Sequence, residues 1–274
     1  MGSATGITYV DRTWNPVSGC SHVSEGCRHC WAEVMTHRLA GRFPERYGGL
    51  TNARGGWTGE VRCHADRLEQ PLQWRKPMRV FVCSQADLFH DEVPTEFIER
   101  MWSVMAEASQ HQFLVLTKRP ERLHRWSRWH RQHGSWNMLA NVWLGVSVEN
   151  QETANERIPL LLQVPAAVHW VSAEPLLGPI RLGKVLYTDD MFEYHAEVPG
   201  GAYELVGQSP LDWLVVGGES GPHHRPCQVE WIESIVNQCR AAGVPVWVKQ
   251  DSGPTPGKQG RIPDDLWAIK EIPR

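Results

Sequence analysis

The chain has 274 residues, 41% of them hydrophobic and 22% charged. That is enough apolar material for a sizeable core and excludes a disordered chain. Its formal net charge of -3 excludes a polypeptide that is basic throughout, leaving room only for local basic patches.

No apolar run approaches the ~18 residues that a membrane-spanning helix needs. The first residues lack the basic and apolar regions of a secretory signal. A cytoplasmic setting is expected. There, clustered cysteines are more readily metal ligands or catalytic groups than disulfides. The 14 tryptophans are expected mainly to pack the core.

In chain order, a first short strand is expected at 13–15, just before a cysteine-bearing loop. A helix follows at 33–42. Strands are expected at 60–64 and 79–83, then a helix at 96–109 with Thr95 as its N-cap. A strand at 112–117 precedes the stretch 124–133, H-R-W-S-R-W-H-R-Q-H, which mixes cations with aromatics. That mixture suits phosphate contacts and base stacking, or else an amphipathic helix with its tryptophans turned inward. A strand at 142–148, a helix at 153–162 and a strand at 168–172 follow. Residues 183–210 break the rhythm and read as an insertion or lid, or as an irregular surface excursion. A strand at 213–217, a helix at 229–242 stopped by Gly243 and a strand at 244–248 complete the chain.

The strands are nearly continuous apolar runs, as in parallel sheets covered on both faces. Eight of them alternating with helices predict an α/β fold. The first choice is a complete or slightly irregular (β/α)8 barrel in a single domain spanning 1–274. An open doubly wound sheet is the second.

Cys20, Cys27 and Cys30 stand at C-x6-C-x2-C spacing with no fourth cysteine close behind. Three thiolates can hold a four-iron cluster with one iron free of protein, whereas a closed structural site takes four ligands. Zinc is the competing reading, with His22, His29, His37, Cys63 or Cys83 as the fourth ligand. In parallel α/β folds ligands gather at the carboxyl ends of strands. Here those ends carry Ser84 and Asp87, Lys118 and Arg119, Ser147 and Glu149, Glu174, Glu219, and Lys249 with Gln250. His90, close behind Asp87, reads equally as a packing group or a functional one.

The motifs T-W-N-P-V-S-G-C (13–20) with Cys27 and Cys30, D-L-F-H (87–90), L-T-K-R-P-E-R (116–122), W-L-G-V-S-V-E-N (143–150), S-A-E-P-L-L-G (172–178) and V-G-G-E-S-G (216–221) occur together. In this order they resemble the phage and bacterial three-cysteine-motif family of radical-SAM-like proteins, over nearly the whole chain. The resemblance implies a barrel of the radical S-adenosylmethionine (SAM) type with Cys20, Cys27 and Cys30 on a [4Fe-4S] cluster. It also implies SAM bound at the open iron, and a one-electron donor of flavodoxin or ferredoxin type. The implied reaction is reductive cleavage of SAM to a 5′-deoxyadenosyl radical that abstracts hydrogen from substrate. A nucleotide or nucleic-acid substrate fits the phage association. Two departures stand out. The usual first cysteine gap has three residues rather than six, and the usual G-G-E after the second strand is missing; the G-G-E at 217–219 stands much later and is not its equivalent.

On that resemblance, SAM's carboxylate would be met by Lys118 and Arg119. Its sulfonium and amino groups would be met by Ser84 and Asp87, and its ribose by Ser147 and Glu149. Glu174, Glu219 and Lys249, with Gln250, would then face the substrate as the catalytic set. The rival function is a non-catalytic zinc or iron–sulfur protein that binds nucleic acid or serves as an accessory.

Overall fold

A computed structural model describes residues 6–186 and 211–273. Among these residues nine strands are present: β1 (Arg12–Trp14), β2 (Val17–Ser18), β3 (Arg62–Cys63), β4 (Arg79–Val82), β5 (Gln112–Thr117), β6 (Val142–Val148), β7 (Val168–Ala173), β8 (Trp213–Gly217) and β9 (Val246–Gln250). The helices are α1 (Trp31–Ala40), α2 (Pro44–Tyr47), α3 (Thr95–Glu107), α4 (Pro120–Gln132), α5 (Gln151–Leu162), α6 (Val229–Ala241) and α7 (Asp264–Trp267). Seven strands form one parallel sheet in the order β1-β4-β5-β6-β7-β8-β9, so the chain adds each strand beside the last.

The α/β class holds, but the sheet is a curled, open half-barrel and not the expected (β/α)8 barrel. Two local facts account for this. The strand expected at 60–64 shrinks to β3, which pairs antiparallel with β2 in a separate ribbon. The free edge of β9 is already taken by the C-terminal segment. Val248 N–H donates to Ile269 O at 3.0 Å and Glu271 N–H to Val246 O at 2.9 Å. An edge so paired has no groups left to meet β1.

Alternation along the strands separates two apolar faces. Val80, Val82, Phe113, Val115, Leu144, Val146, Val171, Leu214, Val216, Val246 and Val248 belong to the larger core, with the helices. Phe81, Leu114, Trp143, Trp170, Trp213 and Val215 form a second core on the opposite face, with Trp247 packed against it. Tyr9, from the segment before β1, inserts there. Its ring lies edge-on to Trp170, Trp213 and Trp247, with centroids 5.3 to 6.2 Å away. The chain thus fills the lower part of its own concavity with aromatics.

The local signals explain the helices. Asn150 caps α5, accepting from Thr153 N–H at 3.0 Å, while the Thr153 hydroxyl meets the Asn150 N–H at 3.2 Å. Gly243, at φ +70°, stands just past α6 where a helix stop was expected. Thr95 is the first residue of α3 rather than its cap; Pro94 holds the cap position. The stretch 124–133 falls in α4 and its end. There Leu123, Trp126, Ser127 and His130 are buried at helical spacing, and Trp129 is not. Of the expected insertion, 183–186 form a single 3-10 turn and 187–210 lie outside the described residues. No helix among the described residues is long and apolar enough to cross a membrane.

Gly145, in the middle of β6, lies on the inner face, where an added Cβ would meet the Trp170 indole at 2.5 Å. Trp170 is fully buried and has little room to yield. Gly145→Ala is therefore expected to cost about 1–3 kcal/mol through overpacking. Urea unfolding measures it; an unchanged midpoint would contradict this packing.

Candidate functional site

The loop between β2 and α1 carries all three cysteines of the C-x6-C-x2-C motif. It lies over the carboxyl end of the sheet and is fastened to four strand ends in turn. At its start Gly19 bridges to Ala86, in the segment after β4. Next, Arg119, just beyond β5, reaches up to it. One guanidinium nitrogen donates to Ser21 O at 3.0 Å and to Ser21 Oγ at 2.8 Å; the other stands 3.7 Å from Cys20 Sγ. Ser24 Oγ then donates to Glu149 Oε1, beyond β6, at 2.9 Å. Last, His29 meets Glu219, beyond β8, at 3.0 Å.

Each fastening is held from behind. Asp87 is buried and accepts from Arg119 at 3.2 Å, Thr117 Oγ1 at 2.7 Å, Lys118 N–H at 3.0 Å and Phe89 N–H at 2.9 Å. Glu149 is 1% exposed and takes Lys118 Nζ at 3.0 Å and Arg157 Nη1 at 3.2 Å. Burial alone would raise its carboxyl, but Lys118, Arg157 and the Ser24 hydroxyl outweigh that and hold it below the ordinary value. Glu219 behaves likewise. Burial opposes its charge, and Arg225, bonded at 2.6 Å, wins. Arg225 also donates to Glu25 O at 2.9 Å, clamping the middle of the loop. Gly26 is required where the loop passes over Glu149, since a Cβ there would overlap the carboxylate.

His90 joins the same network. Glu92 N–H donates to its Nδ1 at 3.2 Å, which places the ring proton on Nε2, facing Ser21 Oγ at 2.8 Å.

The cysteines differ in environment. Burial, then the Asp87 carboxylate, pushes the Cys20 thiol up to about 12 despite Arg119. Cys30 is the N-cap residue of α1. Burial raises it too, against the lowering effect of the Glu33 and Ala32 N–H groups and of Lys118. Cys30 lies within electrostatic reach of both Cys20 and Cys27. All seven cysteines are free thiols. Among the described residues no group of three or more His, Cys, Asp or Glu is arranged to hold one metal ion. A four-iron cube binds each thiolate at a separate corner and so asks for wider spacing than one ion does. The donor set suits such a group. These are three thiols on one loop, with a guanidinium at the Cys20 sulfur and helix N–H groups at the Cys30 sulfur. The histidines considered as a fourth zinc ligand are engaged elsewhere: His22 with Glu33, His29 with Glu219, His37 with Thr51.

A second row of groups lies on the inner face, above the tryptophans. Lys118 Nζ donates to Ser147 Oγ at 2.5 Å, and Ser147 Oγ to Glu174 O at 3.0 Å. Lys249 Nζ sits 2.7 Å from both Glu174 carboxylate oxygens, and Gln250 donates to one of them at 3.0 Å. The Tyr9 phenol is raised by burial and then by Glu174.

The structure therefore brings together Lys118, Ser147, Glu149, Glu174 and Lys249, and sets Asp87 and Arg119 with the cysteine loop. It sends the Lys118 and Arg119 side chains to different carboxylates, Glu149 and Asp87. Ser84 turns away to Asn15 Oδ1 at 3.1 Å. Glu219 belongs to the loop clamp with His29 and Arg225. Sequence reasoning missed Arg157, Arg225, Ser21, Ser24 and Tyr9. Arg157, eight residues after Glu149 on the next helix, was the most readable of these.

A family described as "Protein of unknown function (DUF5131)" matches residues 4–262. No curated protein and no solved structure matches the chain.

Replacing Glu149 by Gln leaves Lys118 and Arg157 without their carboxylate. A loss of about 3–5 kcal/mol is expected at pH 7. The folded carboxyl lies below its unfolded value, so its contribution is complete above the unfolded pKa of about 4.3 and fades as pH falls through the folded one. Denaturant unfolding of wild type and Glu149→Gln should show a gap at pH 7 that narrows below about pH 4. Equal stabilities at pH 7 would contradict the assignment.

Proposed function

The chain belongs to the DUF5131 family, whose description assigns no activity, and from the site itself we propose that it is a radical SAM enzyme. Cys20, Cys27 and Cys30 are the residues that would hold a [4Fe-4S] cluster. The observation that carries the reading is the fastening of this three-cysteine loop over the carboxyl end of a parallel sheet, beside an inner row of polar groups. When bound, the cluster supplies one-electron reduction of SAM, the electron arriving from a flavodoxin- or ferredoxin-type carrier.

The chain's own residues have separable tasks. Arg119 moderates negative charge at Cys20 and fixes Ser21. The N-terminal N–H groups of α1 do the same for Cys30. Glu149, Glu219 and Arg225 keep the loop seated and water out from beneath it. On the inner face Lys118 and Ser147 offer an ammonium and a hydroxyl to SAM's carboxylate and ribose. Glu174, paired with Lys249 and Gln250, offers a carboxylate whose charge is already balanced, so it can accept a donor from SAM or substrate without a further counter-ion. The tryptophan layer below supplies a low-dielectric floor that shields a reactive intermediate.

Protein reconstituted anaerobically with iron and sulfide is expected to be brown and to carry about four irons per chain. With dithionite and SAM it should release 5′-deoxyadenosine, and Cys27→Ala should lose colour and activity together. A colourless, zinc-loaded protein, or a brown one that leaves SAM intact, would overturn the proposal.

A further inference from the structure

The basic, aromatic stretch of α4 takes no part in the site above. The solvent side of this helix carries Arg125, Arg128 and Trp129, with His133 just beyond its end, all exposed. From 120 to 132 the chain holds four arginines against one glutamate, within a protein of net charge -3. Among the described residues neither Arg125 nor Arg128 has a carboxylate within 4.0 Å. Glu99, which contacts this helix, is taken by His130 at 3.3 Å. Arg131 lies in the last turn, where a cation complements the helix dipole. Arg125, in mid-helix, has no such explanation.

Trp129 is 51% exposed, although Trp126, three residues earlier, is buried. The His133 ring stacks on it at a centroid distance of 4.3 Å and 24°. A solvent-facing indole is thus braced flat beside two unpaired guanidiniums.

We propose that this face of α4 binds single-stranded nucleic acid, with phosphates on Arg125 and Arg128 and a base stacked on Trp129. An acidic peptide would use the arginines and leave the indole without a role, whereas a nucleotide chain uses both. The assignment is independent of the chemistry proposed for the cysteines. It adds a surface on the helix that begins directly after the site's Arg119.

The test is fluorescence anisotropy of labelled single-stranded DNA and RNA of about 12 nucleotides, a length within the usual single-strand site size, titrated with the full chain. Binding should weaken with salt, with a log–log slope near -1.4 for two phosphates. Arg125→Glu with Arg128→Glu should weaken it at least tenfold. Trp129→Ala should weaken it at least fivefold and leave the salt slope unchanged. Circular dichroism confirms that these surface variants keep their fold. No binding at low salt, or binding indifferent to both sets of substitutions, overturns the proposal. So does displacement by polyglutamate as effective as displacement by unlabelled oligonucleotide, which assigns the face to an acidic protein instead.

Discussion

The arrangement depends on the ion pairs buried beneath the cysteine loop. Asp87 with Arg119, and Glu149 with Lys118 and Arg157, place charges where water cannot solvate them. Such groups persist only when partners and hydrogen bonds satisfy them in a fixed geometry. Because Arg119 also reaches Ser21 and Cys20, and Glu149 also holds Ser24, that geometry is passed on to the loop. A segment that would otherwise be a mobile excursion becomes an extension of the sheet's end.

The sheet makes this possible by its alternation. Successive side chains point to opposite faces, so an apolar run can serve the helix-packed core and the concave face together. On the inner face the order from the amino end upward is aromatic, then small, then polar: Trp143, Gly145, Ser147 on β6 and Trp170, Ser172, Glu174 on and beyond β7. The aromatic layer, completed by Tyr9, excludes water below. The polar layer above it lies beside the loop. The half-barrel stays open at β9, whose edge is capped by the chain's own C-terminal segment.

Much of this was legible in the sequence. The cysteine spacing, the run of parallel strands and the polar residues at their carboxyl ends were all apparent, and the loop does meet those ends. No eighth strand joins the parallel sheet among the described residues. Residues 60–64, E-V-R-C-H, alternate polar and apolar groups, the pattern of a half-exposed strand rather than of a parallel strand covered on both faces, and β3 pairs locally with Val17 and Ser18. The division of labour between Lys118 and Arg119 was readable from parity, since Leu114 and Leu116 share the inner face with Lys118. The clamps by Arg225 and Arg157 were not, because they depend on how a loop and a helix return to the sheet. The amphipathic alternative for 124–133 proved half right: Trp126 packs inward and Trp129 does not.

The central claim is that three thiolates of this loop leave one metal corner for SAM. Electron–nuclear double resonance on the reduced, reconstituted protein with SAM labelled at its amino nitrogen and carboxylate tests it most directly. The account predicts hyperfine coupling of both labels to the cluster, lost in Cys20→Ala. Spectra without coupling, from a protein that nonetheless holds a full cluster, would contradict it.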